Sequence, residues 1–164
     1  MQRTDNGKDV MLLQLLAGSL VSAIAIMIHA LVTVSAIGVA RAVGRRPNAF
    51  PQLHLMSVMV ATALLLMLAH TVEIVVWSLS YAIVGAAPSG SDLLYFAFVN
   101  YTTLGYGDVT PVKAWQLLGP MAAMNGILMF GWSTAVLFEV LVKTIEYLGT
   151  IAVPDTMFSV EDRS

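Results

Sequence analysis

The sequence contains no cysteine and few charged residues. Its 164 residues include 8 Lys or Arg and 10 Asp or Glu, which gives a net charge of −2. Without cysteine there is no disulfide, thiolate metal site or thiol nucleophile. The small negative charge also provides no basic surface for nucleic acid. Phosphate-binding loops, dinucleotide motifs, His-rich metal clusters and nucleophile elbows are all missing, so we expect neither an enzyme nor a bound cofactor.

Hydrophobic residues dominate the chain instead. They make up 58% of it, and the mean hydropathy of +0.81 lies outside the range of soluble domains. Three stretches, at about 10–40, 55–84 and 115–148, exceed the roughly 20 apolar residues that a helix needs to cross a bilayer. The first is about twice as long as the apolar part of a secretory signal, so we interpret it as a retained helix. The sequence therefore predicts an all-α integral membrane protein with three transmembrane helices in a lipid bilayer.

Arginines set the expected orientation. Arg41, Arg45 and Arg46 follow the first span, and Lys and Arg accumulate in cytoplasmic loops. We therefore expect the N-terminus outside, this basic loop inside, the loop between the second and third spans outside, and the C-terminus in the cytoplasm.

A short, partly polar segment separates the second and third spans. Residues 85–90 read Gly-Ala-Ala-Pro-Ser-Gly, which ends a helix. Ser91 or Asp92 can cap a following helix that runs to about Tyr101 and is too short to span the bilayer. After it comes the run Thr102-Thr103-Leu104-Gly105-Tyr106-Gly107-Asp108. A Gly-rich turn between membrane helices is the alternative explanation, but such a turn does not need two threonines and an aspartate in this order.

This run resembles the selectivity filter of potassium channels, which four loops of nearly the same sequence build together. Six positions carry the common residue of that family, and Leu104 replaces the usual valine. The resemblance covers about 55–142 and is to the two-span bacterial pore module, here with an extra N-terminal transmembrane helix. It implies an outer helix, a re-entrant pore helix, a filter loop and an inner helix. One loop supplies a quarter of the ligands of an ion site, and the chain has no second run of this kind. We therefore expect a homotetramer around a central pore.

The resemblance also implies roles within the run. The expected ligands of a dehydrated K⁺ are the carbonyl oxygens of Thr103, Leu104, Gly105 and Tyr106, with the Thr103 hydroxyl at the inner end. Glycines at alternate positions reach left-handed backbone angles at little cost. Asp108 should hydrogen-bond back to the pore helix. Two-span bacterial channels commonly have a glutamate nine residues before this aspartate, where this chain has Val99.

The third span contains Gly126-Ile127-Leu128-Met129-Phe130-Gly131, similar to the Gly-x-x-x-Phe-Gly run of inner helices in two-span channels. Helical spacing places four residues on one stripe that we expect to face the pore cavity: Ile127, Gly131, Thr134 and Phe138. Gly126 has two interpretations, as a hinge of the inner helix or as a site of close helix packing.

Two ionisable residues, His70 and Glu73, lie three positions apart within the second span and share a face with Trp77. Ionisable residues inside a membrane are functional candidates. One interpretation is a proton sensor, because histidine titrates near physiological pH. The interpretation we favour is a structural pair that contacts the pore helix or a neighbouring span. We expect His29 in the core or at an interface, and Asn125 to form a hydrogen bond between helices.

We divide the chain into the N-terminal helix and basic loop (1–50), the pore module (51–148) and a short cytoplasmic tail (149–164). The first span lies outside the resemblance. Its pairs Gly18 and Ser22, and Ala36 and Ala40, have a spacing that permits close helix contact. Peripheral packing on the tetramer, assembly and lipid contact are all open roles for this helix.

The resemblance implies a potassium-selective channel subunit that conducts K⁺ passively, located by analogy in a bacterial inner membrane. No span has Arg or Lys at every third position, so no voltage sensor is predicted. Two alternatives remain: a non-conducting membrane subunit that regulates another channel by co-assembly, and a weakly selective cation channel of the same architecture.

Overall fold

The computed structural model describes the backbone of residues 2–44 and 50–152 and the side chains of residues 7–39 and 50–147. This part of the chain has no β-strand, which confirms the predicted all-α class. Its helices are α1 (Gln2–Gly44), α2 (Pro51–Val84), α3 (Leu93–Tyr101) and α4 (Leu118–Ala152), with a single 3₁₀ turn at Lys113–Trp115.

Three segments are long and apolar enough to cross a membrane: Gly7–Val39, Pro51–Val84 and Lys113–Tyr147. They confirm the three predicted transmembrane helices and a multi-pass integral membrane protein. The helix α4 continues to Ala152, beyond the predicted end of the pore module at 148. Arg45, Arg46 and residues 153–164 of the expected tail lie outside the described residues.

The ends of α2 and α3 follow from local chemistry. Proline occupies the start of α2, and the helix ends at Gly85, whose φ of +64° is accessible to glycine at little cost. Asp92 is the residue that caps α3, since its Oδ1 accepts hydrogen bonds of 3.0 Å from the N–H groups of Leu94 and Tyr95. The short helix that the sequence predicts between the second and third spans thus begins and ends as expected.

The short helix α3 packs between α2 and α4 in an apolar core. Phe96 and Tyr101 of α3 are fully buried there. The Phe96 ring lies 5.1 Å from the ring of Tyr81 in α2, and the Tyr101 ring lies 5.7 Å from that of Phe130 in α4. Tyr95 and Phe98 stay partly exposed on the other side of α3. Only half of the aromatic residues of α3 are therefore used for packing within one protomer.

Side-chain hydrogen bonds supplement this core. The indole Nε1 of Trp77 donates to Oδ1 of Asn125 over 3.1 Å, which confirms the expected role of Asn125 between α2 and α4. Both groups are buried, so each one removes the desolvation penalty that the other would suffer alone.

The first helix packs along α2 and α4 of the same chain. Gln14 of α1 accepts a hydrogen bond of 2.8 Å from the N–H of Leu117, an otherwise free donor at the start of α4. One turn further along α1, a Cβ at Gly18 would overlap the side chain of Met121 and lie 3.3 Å from Leu118. Gly18 of α1 therefore packs closely against α4 of the same chain.

Gly126 lies where α4 meets the end of α3. A Cβ at this position would overlap the carbonyl oxygen of Tyr101 and lie 3.0 Å from the carbonyl carbon. This contact accounts for the glycine by close packing, the second of the two interpretations of the sequence. The hinge remains a prediction.

We expect Gly126→Ala to destabilise the protein by about 1–3 kcal/mol, the usual penalty for overpacking, because the obstructing atom belongs to the backbone. The midpoint of thermal unfolding of the purified protein in detergent micelles measures the effect. Gly131→Ala is the matched control on the same helix, since nothing lies within 4 Å of its Cβ position. Equal midpoints for the two variants would contradict the packing explanation.

Candidate functional site

The predicted filter run starts directly at the end of α3 and is exposed in the single chain. Four of its N–H groups donate hydrogen bonds to carbonyls of α3. These bonds run from Thr102 to Phe98, from Thr103 to Asn100 and from Leu104 to Val99, at a distance of 3.0 Å each, and from Gly105 to Val99 at 3.3 Å. The first part of the run is therefore tied to the helix through its donors. Its carbonyl oxygens are not used in these bonds.

The backbone of the run alternates in conformation. Thr102 has a φ of −80°, whereas φ is +62° at Thr103, +59° at Gly105 and +76° at Gly107. Alternation in the sign of φ turns successive peptide groups so that their carbonyl oxygens can face one side of the strand. The free-energy cost of this alternation is highest at Thr103, because a positive φ destabilises a residue with a side chain by about 1–3 kcal/mol.

Asp108 fastens the outer end of the run. The hydroxyl of Tyr95, in the first turn of α3, donates a hydrogen bond of 2.7 Å to Oδ2 of Asp108. The expected hydrogen bond between Asp108 and the short helix before the run is therefore present, with Asp108 as the acceptor. The bond to the carboxylate raises the pKa of Tyr95 above that of an ordinary phenol. Both ends of the loop are thus held by the same short helix.

A buried polar network lies behind the end of α3. The carboxylate of Glu73 accepts a hydrogen bond from the Tyr101 hydroxyl, and its other oxygen lies 2.8 Å from Nδ1 of His29. His29, Glu73 and Tyr101 are completely buried. Because Tyr101 precedes the first residue of the run, Glu73 holds the point at which the run begins.

His70 and Ser133 complete this network. Nε2 of His70 lies 2.9 Å from the Ser133 hydroxyl of α4, and Nδ1 lies 3.3 Å from the Tyr101 hydroxyl and 3.4 Å from Glu73 Oε2. The Ser133 oxygen is also 3.3 Å from Nε2 of His29. His70 and Glu73 therefore contact both α3 and the neighbouring helices α1 and α4, as a structural pair would.

Sequence reasoning missed the part that His29 plays in the network. We expected this residue in the core or at an interface, but not as the partner of Glu73. One signal was available, because His29 shares a helix face with Gly18 and Ala25, which are small residues that suit a packed face. Ser133 carried no such signal.

The predicted cavity stripe lies on the side of α4 that its own chain leaves uncovered. Ile127 and Phe138 are 61% and 67% exposed, and Gly131 and Thr134 are exposed between them. Ser133 and Val136, on the other side of the helix, are buried. The four stripe residues therefore share a face, and that this face lines a cavity stays a prediction.

Comparison with known proteins gives one result. A family model described as "Ion channel" matches residues 55–143, more than half of the chain. The match includes the predicted filter run and the network residues His70, Glu73 and Ser133, and it leaves α1 outside. No curated protein and no solved structure matches the chain.

We expect Asp108→Asn to lower the pKa of Tyr95 toward its ordinary value, because the carboxylate favours the protonated phenol. The hydrogen bond stabilises the loop at neutral pH and is lost as the pH rises through the raised pKa of Tyr95. Phenolate absorbance during an alkaline titration reports the change: one of the 5 tyrosines should ionise earlier in the variant. In a Tyr95→Phe background, Asp108→Asn should not alter the titration. Identical curves for Asp108→Asn and the wild type would refute the contact.

Proposed function

Since the chain belongs to the ion channel family, we propose that it is a potassium-selective channel subunit, and that residues Thr102 to Asp108 are its filter. The family is not a class of enzymes, in agreement with the sequence. The observation that carries the proposal is the alternating backbone of a complete Thr-Thr-Leu-Gly-Tyr-Gly-Asp run between α3 and α4. This conformation allows a row of carbonyl oxygens to replace the hydration shell of K⁺.

The ligands in this proposal are the four carbonyl groups from Thr103 to Tyr106, and K⁺ is the permeant ion rather than a cofactor. The donors of Thr103 and Leu104 are already bonded to α3, so the cation meets oxygens and not N–H groups. The α3 helix also ends at the filter. Its C-terminal end carries the negative pole of the helix dipole, which favours a cation nearby.

A homotetramer completes the proposed ion site. One chain supplies a quarter of the ligands, and its filter and cavity stripe are both uncovered: Tyr106 is 68% exposed and Phe138 67%. Contact with further copies of the chain would cover these large side chains. Closed four-fold symmetry brings these surfaces together around one axis. With the N-terminus outside, as the arginines predict, the filter enters from the outer side of a membrane that we take to be a bacterial inner membrane.

Two alternatives use the same fold. A non-conducting subunit would regulate another channel by co-assembly, and a weakly selective cation channel would pass Na⁺ as well. The intact run disfavours both, because neither role needs a complete set of carbonyl ligands.

We expect liposomes that contain only this chain to take up K⁺ without an added ionophore, and Gly105→Ala to reduce the uptake at least about tenfold. A Cβ at the φ of +59° costs about 1–2 kcal/mol in each chain, and the penalty recurs in all four. Expression and oligomeric state should not change. Gly38→Ala is the matched control, since this membrane-span glycine has no atom within 4 Å of its Cβ position.

The same preparation separates the alternatives. No K⁺ uptake by the wild-type chain in its assembled form would indicate the regulatory subunit. Equal permeability to Na⁺ and K⁺ in planar bilayers would indicate the weakly selective channel. Either result would overturn the proposed function.

A further inference from the structure

We infer that His29 of α1 is a positioning residue for the filter, and that it acts as a protonated imidazolium which completes the hydrogen bonds of Glu73 and Tyr101. The inference rests on the proposed function, because it concerns how the filter is held. It assigns α1, which lies outside the family match, a direct part in the properties of the pore.

The location of the network supports this role. Each helix contributes to it: α1 His29, α2 His70 and Glu73, α3 Tyr101, and α4 Ser133. Tyr101 is the last residue of α3, so a shift of its side chain or carbonyl moves the start of the filter. Gly126 of α4 leaves no space behind that carbonyl. The position of Tyr101 is therefore set by α4 on one side and by Glu73 on the other.

If both histidines are neutral and Glu73 is ionised, the network has one hydrogen atom too few to form all of its hydrogen bonds. The Tyr101 hydroxyl donates to Glu73, and each histidine can direct its single N–H, on Nδ1, toward the carboxylate. Both Nε2 atoms are then acceptors. Ser133 is within reach of both, at 3.3 Å from His29 and 2.9 Å from His70, but it has only one hydrogen to donate. One buried nitrogen is left without a partner, which is unfavourable.

A single additional proton resolves this shortage. With His29 as an imidazolium, its Nδ1–H donates to Glu73 and its Nε2–H donates to the Ser133 oxygen. The Ser133 hydroxyl then donates to His70, whose Nδ1–H points to Glu73 and Tyr101. Every polar atom of the five side chains now has a partner.

The charges favour the same protonation state. An unpaired carboxylate in a membrane interior is unfavourable, whereas an adjacent imidazolium makes the network neutral overall. The geometry assigns the proton to His29 rather than to His70, because His29 is 2.8 Å from the carboxylate and His70 is 3.4 Å from it. The groups that face His29 are Glu73 and His70 of α2 and Ser133 and Trp132 of α4. Tyr101 of α3 is connected to it through Glu73.

Loss of this proton has a predictable direction. As the pH rises, His29 becomes neutral, Glu73 loses its counter-charge, and the hold on Tyr101 weakens. The filter is then less well fixed, so discrimination between K⁺ and Na⁺ should decrease at alkaline pH and be retained at acidic pH.

The same three side chains, His29, His70 and Glu73, lie close enough to bind a metal ion, with ligand atoms within 4.8 Å of one another. The contact of 2.8 Å between His29 and Glu73 fits a hydrogen bond better than two ligands of a tetrahedral zinc ion, which stand roughly 3.3 Å apart at bond lengths of about 2.0–2.1 Å. We therefore assign a proton to this site and treat a metal as an outcome of the test.

The first experiment measures the K⁺/Na⁺ permeability ratio of the tetramer in planar bilayers as a function of pH. We expect the wild-type ratio to fall at least about fivefold with rising pH, the lower limit of typical coupling between linked sites. His29→Gln, which cannot take up a proton, should abolish this pH dependence. His54→Gln, a histidine of α2 outside the network, is the matched control and should keep the wild-type profile.

Three results of this experiment would overturn the inference: a pH-independent ratio in the wild type, a wild-type profile in His29→Gln, or a profile altered by EDTA or micromolar Zn²⁺. His70→Gln adds a further comparison. This variant should retain pH dependence, because His29 keeps the proton. A flat profile in His70→Gln alone would indicate that His70 carries the proton and would refute the assignment to His29.

A second experiment does not depend on conduction. With ¹⁵N-labelled histidine in nanodiscs, one of the 3 histidines should give the spectrum of an imidazolium at neutral pH, and this signal should disappear in His29→Gln and persist in His54→Gln. If the signal is present but the protein passes no ions, the proposed function fails and the state of His29 stands. If the protein conducts and no imidazolium is found, the inference fails alone.

Discussion

The hydrogen bond from Tyr101 to Glu73 is the interaction on which the arrangement around the proposed filter depends. A carboxylate inside a membrane is tolerated only with partners, and Glu73 is completely buried. Its partners come from α1, α2 and α3, and Ser133 of α4 joins through the two histidines. The need to pair one charge therefore brings four helices together at a single level. That level is the end of α3, where regular helix gives way to the exposed run.

Non-helical backbone at membrane depth raises the same problem of unpaired polar groups, because lipid cannot satisfy them. In the run, the N–H donors and the carbonyl acceptors differ in how they are satisfied. Its first N–H groups are bonded to carbonyls of α3, whereas the alternating φ from Thr103 to Gly107 leaves the carbonyl oxygens available to one side. Asp108 adds a fixed point through Tyr95 at the other end. A loop that is held by its donors and side chains can present its acceptors to a cation, which is the physical basis of the proposed filter.

Local features were the most predictable ones. Asp92 and the Gly-Pro-rich segment before it define α3, and the sequence places its limits where the structure has them, because capping and helix termination depend on neighbouring residues. The limits of the long helices were less accurate, since hydropathy marks the membrane core and not the helix ends. The partners of Glu73 could not be derived in full. His29 and Ser133 are 44 and 60 positions away from it in the chain, and only the packing of α1 and α4 brings them together.

The contacts of α1 within the chain change the interpretation of its role. Its spacing of small residues left peripheral packing, assembly and lipid contact open, but Gly18 contacts Met121, Gln14 pairs with the start of α4, and His29 pairs with Glu73. These contacts lie at separate levels along α1, and two of them provide hydrogen-bond partners for polar groups of the rest of the chain, the N–H of Leu117 and the carboxylate of Glu73. A helix with only apolar contacts could be replaced by lipid at little cost. Lipid cannot replace Gln14 or His29 as hydrogen-bonding partners, so α1 belongs to the structural unit that holds the proposed filter.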